Sequence, residues 1–271
     1  ADGLHVLQAA DDDWIVLPVM CRTVGSQTAA VTVKRAVPDM DFVVEQGNRL
    51  WGCKYGIVNG EAVNEIYASK LGDFRNWNSF AGLSTDSYAA SRGSDGVFTG
   101  AAACMGGVIF FKEDCMERVY PSAAGAHQIV TVRCPGIRKG CGGSAALVDG
   151  TLFYVGINGV YAFDGSMPSC VSQPLGSVRY AGAAAAGWNG QYWLAARDEA
   201  GGRHVLVYDT AHGLWHRQDD ADIMAFAVCG GALYGLTRSG ALLDLTGGSG
   251  EPEETVRWMA ETGELGLSAP D

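Results

Sequence analysis

His212 and His216 stand four residues apart in AHGLWHR, the spacing at which two imidazoles share a metal ion on a helix. The stretch reads instead as a turn running into an exposed strand end. Side chains four apart on a strand share a face but lie about 13 Å from each other, too far for one ion. The cysteines Cys21, Cys53, Cys104, Cys115, Cys134, Cys141, Cys170 and Cys229 contain no C-x-x-C and no Cys–His ligand spacing. They read as reduced thiols, with Cys53, Cys104 and Cys229 expected as small buried groups on or beside inner strands. Cys134 and Cys141 flank the loop CPGIRKGC and are the one candidate pair. SRGSDGVFTG (91–100) carries the S-D-G part of the S-x-D-x-G-x-x-W turn of sialidase-like propeller hydrolases but lacks the Trp, and a plain turn at Ser94-Asp95-Gly96 accounts for it. Asp11-Asp12-Asp13 reads as a solvated loop or terminal arm, with Ca²⁺ binding as the alternative. No carboxylate pair is singled out. These readings assign no catalytic, cofactor-binding or metal-ligating residue, and the chain is read as a non-enzyme.

What positions these residues is a repeat. QGNRLWGCKYG, MGGVIFFKED, VDGTLFYVGING, WNGQYWLAARD and CGGALYGLTRSG align on Gly47, Gly107, Gly150, Gly190 and Gly231, with intervals of 60, 43, 40 and 41 residues. Each reads as a small apolar approach, a two-residue turn with Gly second, and an apolar strand. A second strand pattern follows in NEIYAS, MERVYP, NGVYAFD, HVLVYDT and GALLDLT, and a third in RNWNSF, GLWHRQD and VRWMAE. The unit is a four-stranded meander with a period near 40, which predicts an all-β fold: a β-propeller of about five four-stranded antiparallel blades. The Ala runs at 101–103 and 183–186 fall where inner strands crowd the axis. Residues 39–271 are assigned to the propeller. Residues 1–38 hold WIVLPVM and AVTVKRAV, two strands that extend a blade or close the ring.

Composition fits a loop-rich β protein: 38 glycines in 271 residues and only 18% charged. The net charge of −11 opposes a grip on nucleic-acid phosphates, for which only GIRKG (136–140) offers clustered cations. That stretch reads as an exposed loop. DNA passing nearby without specific binding is compatible with the charge. No apolar run approaches the roughly 20 residues of a membrane span. Partners are expected at the connectors 56–64, 84–96, 121–129 and 196–203, and a small ligand, if any, at the axial mouth.

VTVKRAVPDMDFVVEQGNRLWGCKYG through NEIYASKLGDFRNWNSF resembles tailed-bacteriophage virion β-propeller proteins of the tail-hub, nozzle and head–tail completion type. The resemblance rests on Ile66-Tyr67-Ala68-Ser69, Leu71-Gly72-Asp73 and Asn76-Trp77, and extends to GVYAFDGSMPSCVSQPLG and VRWMAETGELGL. It implies a non-enzymatic virion component in a tail or at the head–tail junction, present in multiple copies and contacting other virion subunits, with no catalytic residues. The same Tyr67, Ser69, Gly72, Asp73 and Trp77 also read as packing and turn residues. Tyr208, Asp209 and Trp215 form a Y-D…W turn common to adaptor propellers, which keeps a non-viral interaction or carbohydrate-binding propeller as the alternative; a propeller glycoside hydrolase or lyase is the third reading. The chain opens without Met and stops at SAPD, as a fragment or processed domain would.

Overall fold

The computed structural model describes residues 37–78, 83–122 and 127–247, and the backbone of 9–10 and 15–16. The chain divides into two compact units, residues 1–34 and 35–271. In the first unit Ala9–Ala10 (β1) and Ile15–Val16 (β2) pair antiparallel. WIVLPVM therefore contributes its Ile15–Val16 to a strand, while AVTVKRAV falls outside the described residues except for Val37.

The second unit is all-β, with five antiparallel sheets whose strands pair in chain order. Sheet 1 is β3 (Phe42–Glu45), β4 (Leu50–Val58), β5 (Glu61–Ala68) and β6 (Tyr88–Ser91); sheet 2 is β7 (Gly100–Cys104), β8 (Gly107–Phe111), β9 (Cys115–Tyr120) and β10 (Gln128–Arg133). Sheet 3 is β11 (Ala146–Val148), β12 (Thr151–Gly156), β13 (Gly159–Phe163) and β14 (Ser169–Cys170). Sheet 4 is β15 (Tyr180–Trp188), β16 (Gln191–Asp198), β17 (Arg203–Asp209) and β18 (Leu214–Asp219); sheet 5 has three described strands, β19 (Ile223–Cys229), β20 (Ala232–Thr237) and β21 (Leu242–Asp244). The only helical piece among the described residues is a 3-10 turn at Gln173–Leu175.

One turn chemistry opens every sheet. The first hairpins turn at Gly47-Asn48, Met105-Gly106, Asp149-Gly150, Asn189-Gly190 and Gly230-Gly231, with positive φ at both central residues each time, as type I′ turns require. The sequence alignment is thereby corrected at two places. Gly47 is the first turn residue, and Gly107 is the first residue of β8, where a Cβ would lie 2.6 Å from the Val119 carbonyl oxygen. Gly107 is thus a close-approach glycine, and the turn belongs to Met105-Gly106. Residues 75–78 of RNWNSF are not in a strand, and its last two residues lie outside the described residues; the fourth strand of sheet 1 is β6. VRWMAE lies outside the described residues.

The apolar faces explain how the sheets stack. Along β8, Val108 and Phe110 join a core with Trp51, Cys53 and Ile66 of sheet 1, whereas Ile109 and Phe111 join one with Phe153, Tyr154 and Val155 of sheet 3. Along β16, Tyr192 and Leu194 face sheet 3, and Trp193 and Ala195 face Ile223 and Leu233 of sheet 5. Period-two alternation thus feeds two cores from one strand, and β8 is buried at all five positions. Strand β20, in the last sheet, alternates between buried and more open positions. First strands also pack on one another, β3 on β7, β11 on β15 and β15 on β19. The Ala runs sit on β7 and β15, where small side chains permit that approach.

Candidate functional site

The segment Cys134–Ser144, between sheets 2 and 3, meets residues of sheets 1, 3 and 4 as well as the chain beside β7 and β8. Gly136 passes so close to β8–β9 that a Cβ would lie 1.9 Å from the Lys112 carbonyl oxygen. A Cβ on Gly142 would lie 2.7 Å from the Thr99 carbonyl oxygen and 3.0 Å from Phe42. Gly143 forms a parallel bridge with Ala184 of β15. Two phenols clamp the segment: Tyr154 donates to the Pro135 carbonyl at 2.7 Å and Tyr192 to the Ser144 carbonyl at 2.8 Å. The expectation that GIRKG is an exposed loop holds only for Lys139 and Gly140; Gly136 and Ile137 are buried. Cys134 and Cys141 are free and buried, and burial pushes the Cys141 thiol up to about 11. Cys229, expected inside, is exposed at the end of β19, while Cys53 and Cys104 are buried.

A buried charged network fills the seam between sheets 1 and 2. Lys112 is 1% exposed; its ammonium donates to Asn64 Oδ1 at 3.1 Å and to the Ser94 carbonyl at 2.7 Å. It also lies 5.0 Å from the Tyr55 ring centroid and 4.6 Å from that of Phe98, both favourable for a desolvated cation. Burial pulls its pKa below the ordinary lysine value, with Cys115 and Glu117 opposing. Glu117, fully buried, accepts from Ser94 Oγ at 2.6 Å, from Thr131 Oγ1 and from Arg92 at 2.8 Å. Ser94 of SRGSDG is therefore an internal node between two charges. The residue types of this network are visible in GVIFFKED and MERVYP as charges interrupting apolar strands. Its partners come from a different sheet, which spacing does not reveal.

Of the signature residues, Tyr67 lies on β5, and Ser69, Gly72, Asp73 and Trp77 lie in the connection that follows it. Ser69 is buried, and its Oγ accepts from the Leu50 amide at 3.0 Å. Gly72, at φ +70°, donates its amide to the Asn48 carbonyl at 2.9 Å. The Asp73 carboxylate accepts from the Arg75 amide at 3.2 Å. Trp77 is buried with Nε1 donating to the Phe74 carbonyl at 2.8 Å, and Tyr67 is buried at the end of β5. Arg49 holds the connection from beneath: its guanidinium donates to the carbonyls of Ser69 and Asp86 at 2.6 Å each and also to that of Ser84. Gly72-Asp73 thus turns the chain inside a connection rather than between paired strands.

Tyr208, Asp209 and Trp215 lock the β17–β18 hairpin. The Tyr208 and Trp215 rings are 4.9 Å apart, and Trp215 Nε1 donates to the carbonyl of Val171, just after β14, at 2.8 Å. Asp209 Oδ1 accepts the amides of Ala211 and His212, and Oδ2 pairs with His212 Nδ1 at 2.8 Å. His212 is thereby committed to a turn, and no group of three potential metal ligands occurs among the described residues. Of the expected connectors, 56–64 is the β4–β5 hairpin and 196–203 the β16–β17 hairpin; 84–96 contains β6, and 121–129 lies partly outside the described residues. Among the described residues no helix is long and apolar enough to cross a membrane. No family model matches the chain, and no curated protein matches it.

Proposed function

We propose that the five sheets are successive blades of a β-propeller and that the protein is a non-enzymatic structural component of a tailed-bacteriophage virion, acting in the tail or at the head–tail junction as an assembly scaffold. The observation that carries the scaffold reading is the contrast between the buried network and the exposed apolar side chains, which occur on every sheet, Leu147 of sheet 3 and Leu214 of sheet 4 included. The buried charged groups between sheets 1 and 2 are consumed in internal bonds. Val43 and Ile57 of sheet 1, and Met224, Val228, Leu236 and Leu242 of sheet 5, are large apolar side chains left exposed. Uncovered apolar surface on an ordered scaffold is suited to protein partners, here other virion subunits, including further copies of the chain. The phage assignment itself rests on the Tyr67-Ala68-Ser69, Leu71-Gly72-Asp73 and Asn76-Trp77 resemblance.

The test is assembly. Electron microscopy of the purified chain, alone and mixed with the products of adjacent genes, is expected to show ring-shaped particles and stable complexes with portal or tail proteins. A strictly monomeric protein without affinity for those products, or saturable turnover of a glycoside, overturns the reading.

A further inference from the structure

Three arginines surround a cavity of about 380 Å³ between sheets 4 and 5, at Arg197, Arg203 and Arg238. Arg197 Nη2 donates to both oxygens of Asp222, at 3.1 and 3.0 Å, and Arg238 Nε lies 3.5 Å from the same carboxylate. Arg203 has no ion-pair partner for its guanidinium among the described residues. Three guanidiniums against one carboxylate leave two positive charges at one opening of a protein whose net charge is −11. Of the nearby carboxylates, Glu199 is paired with Arg138 and Asp220 lies 3.9 Å from Arg217. Asp198 is hydrogen-bonded to His204 at 2.9 Å and to the Gly202 amide at 2.7 Å, so with His204 neutral it offsets one of the two charges and an excess of one remains.

The backbone is shaped at the same level. β15 carries a register shift between Tyr180 and Gly182, and β19 another between Ile223 and Ala225. The extra residues, Ala181 and Met224, both line the cavity. Bulges re-aim strands and cluster beside binding sites, and the two together open the seam at this level. Gly140 closes in from the third side, where a Cβ would lie 2.6 Å from the Ala181 carbonyl oxygen. The volume falls within the range of small-ligand sites, roughly 300–1,000 Å³.

We propose that this cavity binds one small organic oxyanion, a carboxylate or a phosphate ester. Arg203 and Arg238 are its direct ligands, Arg197 is fixed by Asp222 as the charged wall, and the apolar part of the ligand rests on Ala183, Ala184 and Ala195. Guanidinium forks match the two oxygens of either group. The site does not depend on the virion reading.

Calorimetric titrations at fixed ionic strength, with succinate, phenyl phosphate and inorganic phosphate as probes and chloride as the reference salt, test it. Saturable binding of succinate or phenyl phosphate is expected, the tighter of the two identifying the anion class. The Arg203→Gln/Arg238→Gln double variant is expected to weaken it at least about tenfold, as loss of charge-assisted bonds does. Ala181→Leu is expected to exclude phenyl phosphate, and Lys139→Gln to leave binding unchanged. No saturable binding by the wild type, or unchanged binding in the double variant, overturns the proposal. Should the double variant lose its β-sheet circular dichroism, Ala181→Leu decides: retained phenyl phosphate binding overturns, exclusion supports.

Discussion

The seam between sheets 1 and 2 and the seam between sheets 3 and 4 each have an apolar core, and they differ in what is added to it. The first adds a buried ionic network of Lys112, Glu117 and Arg92, with Asn64, Ser94 and Thr131 completing their bonds, to the core around Trp51 and Phe110. The second is held by rings: Phe153 stacks on Tyr192 at 5.3 Å and approaches Tyr208 at 5.7 Å, and Trp215 meets Tyr192 edge-on at 6.4 Å. Aromatic packing stabilises through buried area and ring geometry and tolerates small shifts. A buried ionic network contributes less net stability but penalises any misalignment that unpairs a charge. Sheet 1 also carries the long 69–87 connection, so the demanding seam sits where the repeat is least regular.

Truncating the aromatic seam gives the largest expected loss. Tyr192→Ala should cost about 3–5 kcal/mol in urea unfolding, as large-to-small core changes do, while Tyr192→Phe should cost about 1 kcal/mol for the lost bond to Ser144. Equal losses for the two would mean that the hydroxyl, not the ring, holds this seam. Next comes Glu117→Ala, expected to cost about 3 kcal/mol because Arg92 and Lys112 lose their counter-charge. A combined Glu117→Leu, Lys112→Met, Arg92→Leu variant should recover most of that loss, since apolar replacements of whole buried networks are often neutral. No recovery would show that the ionic seam adds stability in its own right.

Smaller effects separate the seams by pH. His127, between Trp51 and Tyr88 at the first seam, is held below its ordinary 6.5 by burial and then by Arg49. The unfolded chain takes up a proton that the folded one refuses, so stability is full above about 6.5 and falls as pH drops below it. His127→Phe should flatten that acid limb in denaturation curves. At the aromatic seam, Cys141 is pushed by burial from 9.0 to about 11. The folded chain keeps a proton that the unfolded one releases, so stability falls as pH climbs from about 9 to 11. Cys141→Ala should shrink that alkaline loss; an unchanged slope would assign it to other groups.

The strand phases were legible because their signals are local. Asp149-Gly150, Asn189-Gly190 and Gly230-Gly231 announce type I′ turns within four residues. The Gly-Gly of MGGVIF did not say which glycine turns, and the choice of Met105, at φ +51°, comes from pairing Cys104 with Gly107. RNWNSF alternates like a strand, yet its described residues 75–78 are not in one, and Arg49 ties Ser69, Ser84 and Asp86 together; such long-range donors leave no periodicity. The two sites with the most charge, around Lys112 and around Asp222, draw residues from separate sheets. Their composition was readable, but their convergence was not.

Pairing in chain order has a consequence for synthesis. A nascent sheet finishes its own ladder before the next is translated, so the strand pairing within a sheet does not wait on distant chain. Its apolar face does wait, because each core is shared with the sheet that follows. A ribosome that stalls at any sheet boundary after the first therefore leaves an ordered, fully laddered intermediate with one adhesive side, and premature termination is expected to yield aggregates rather than shorter stable proteins.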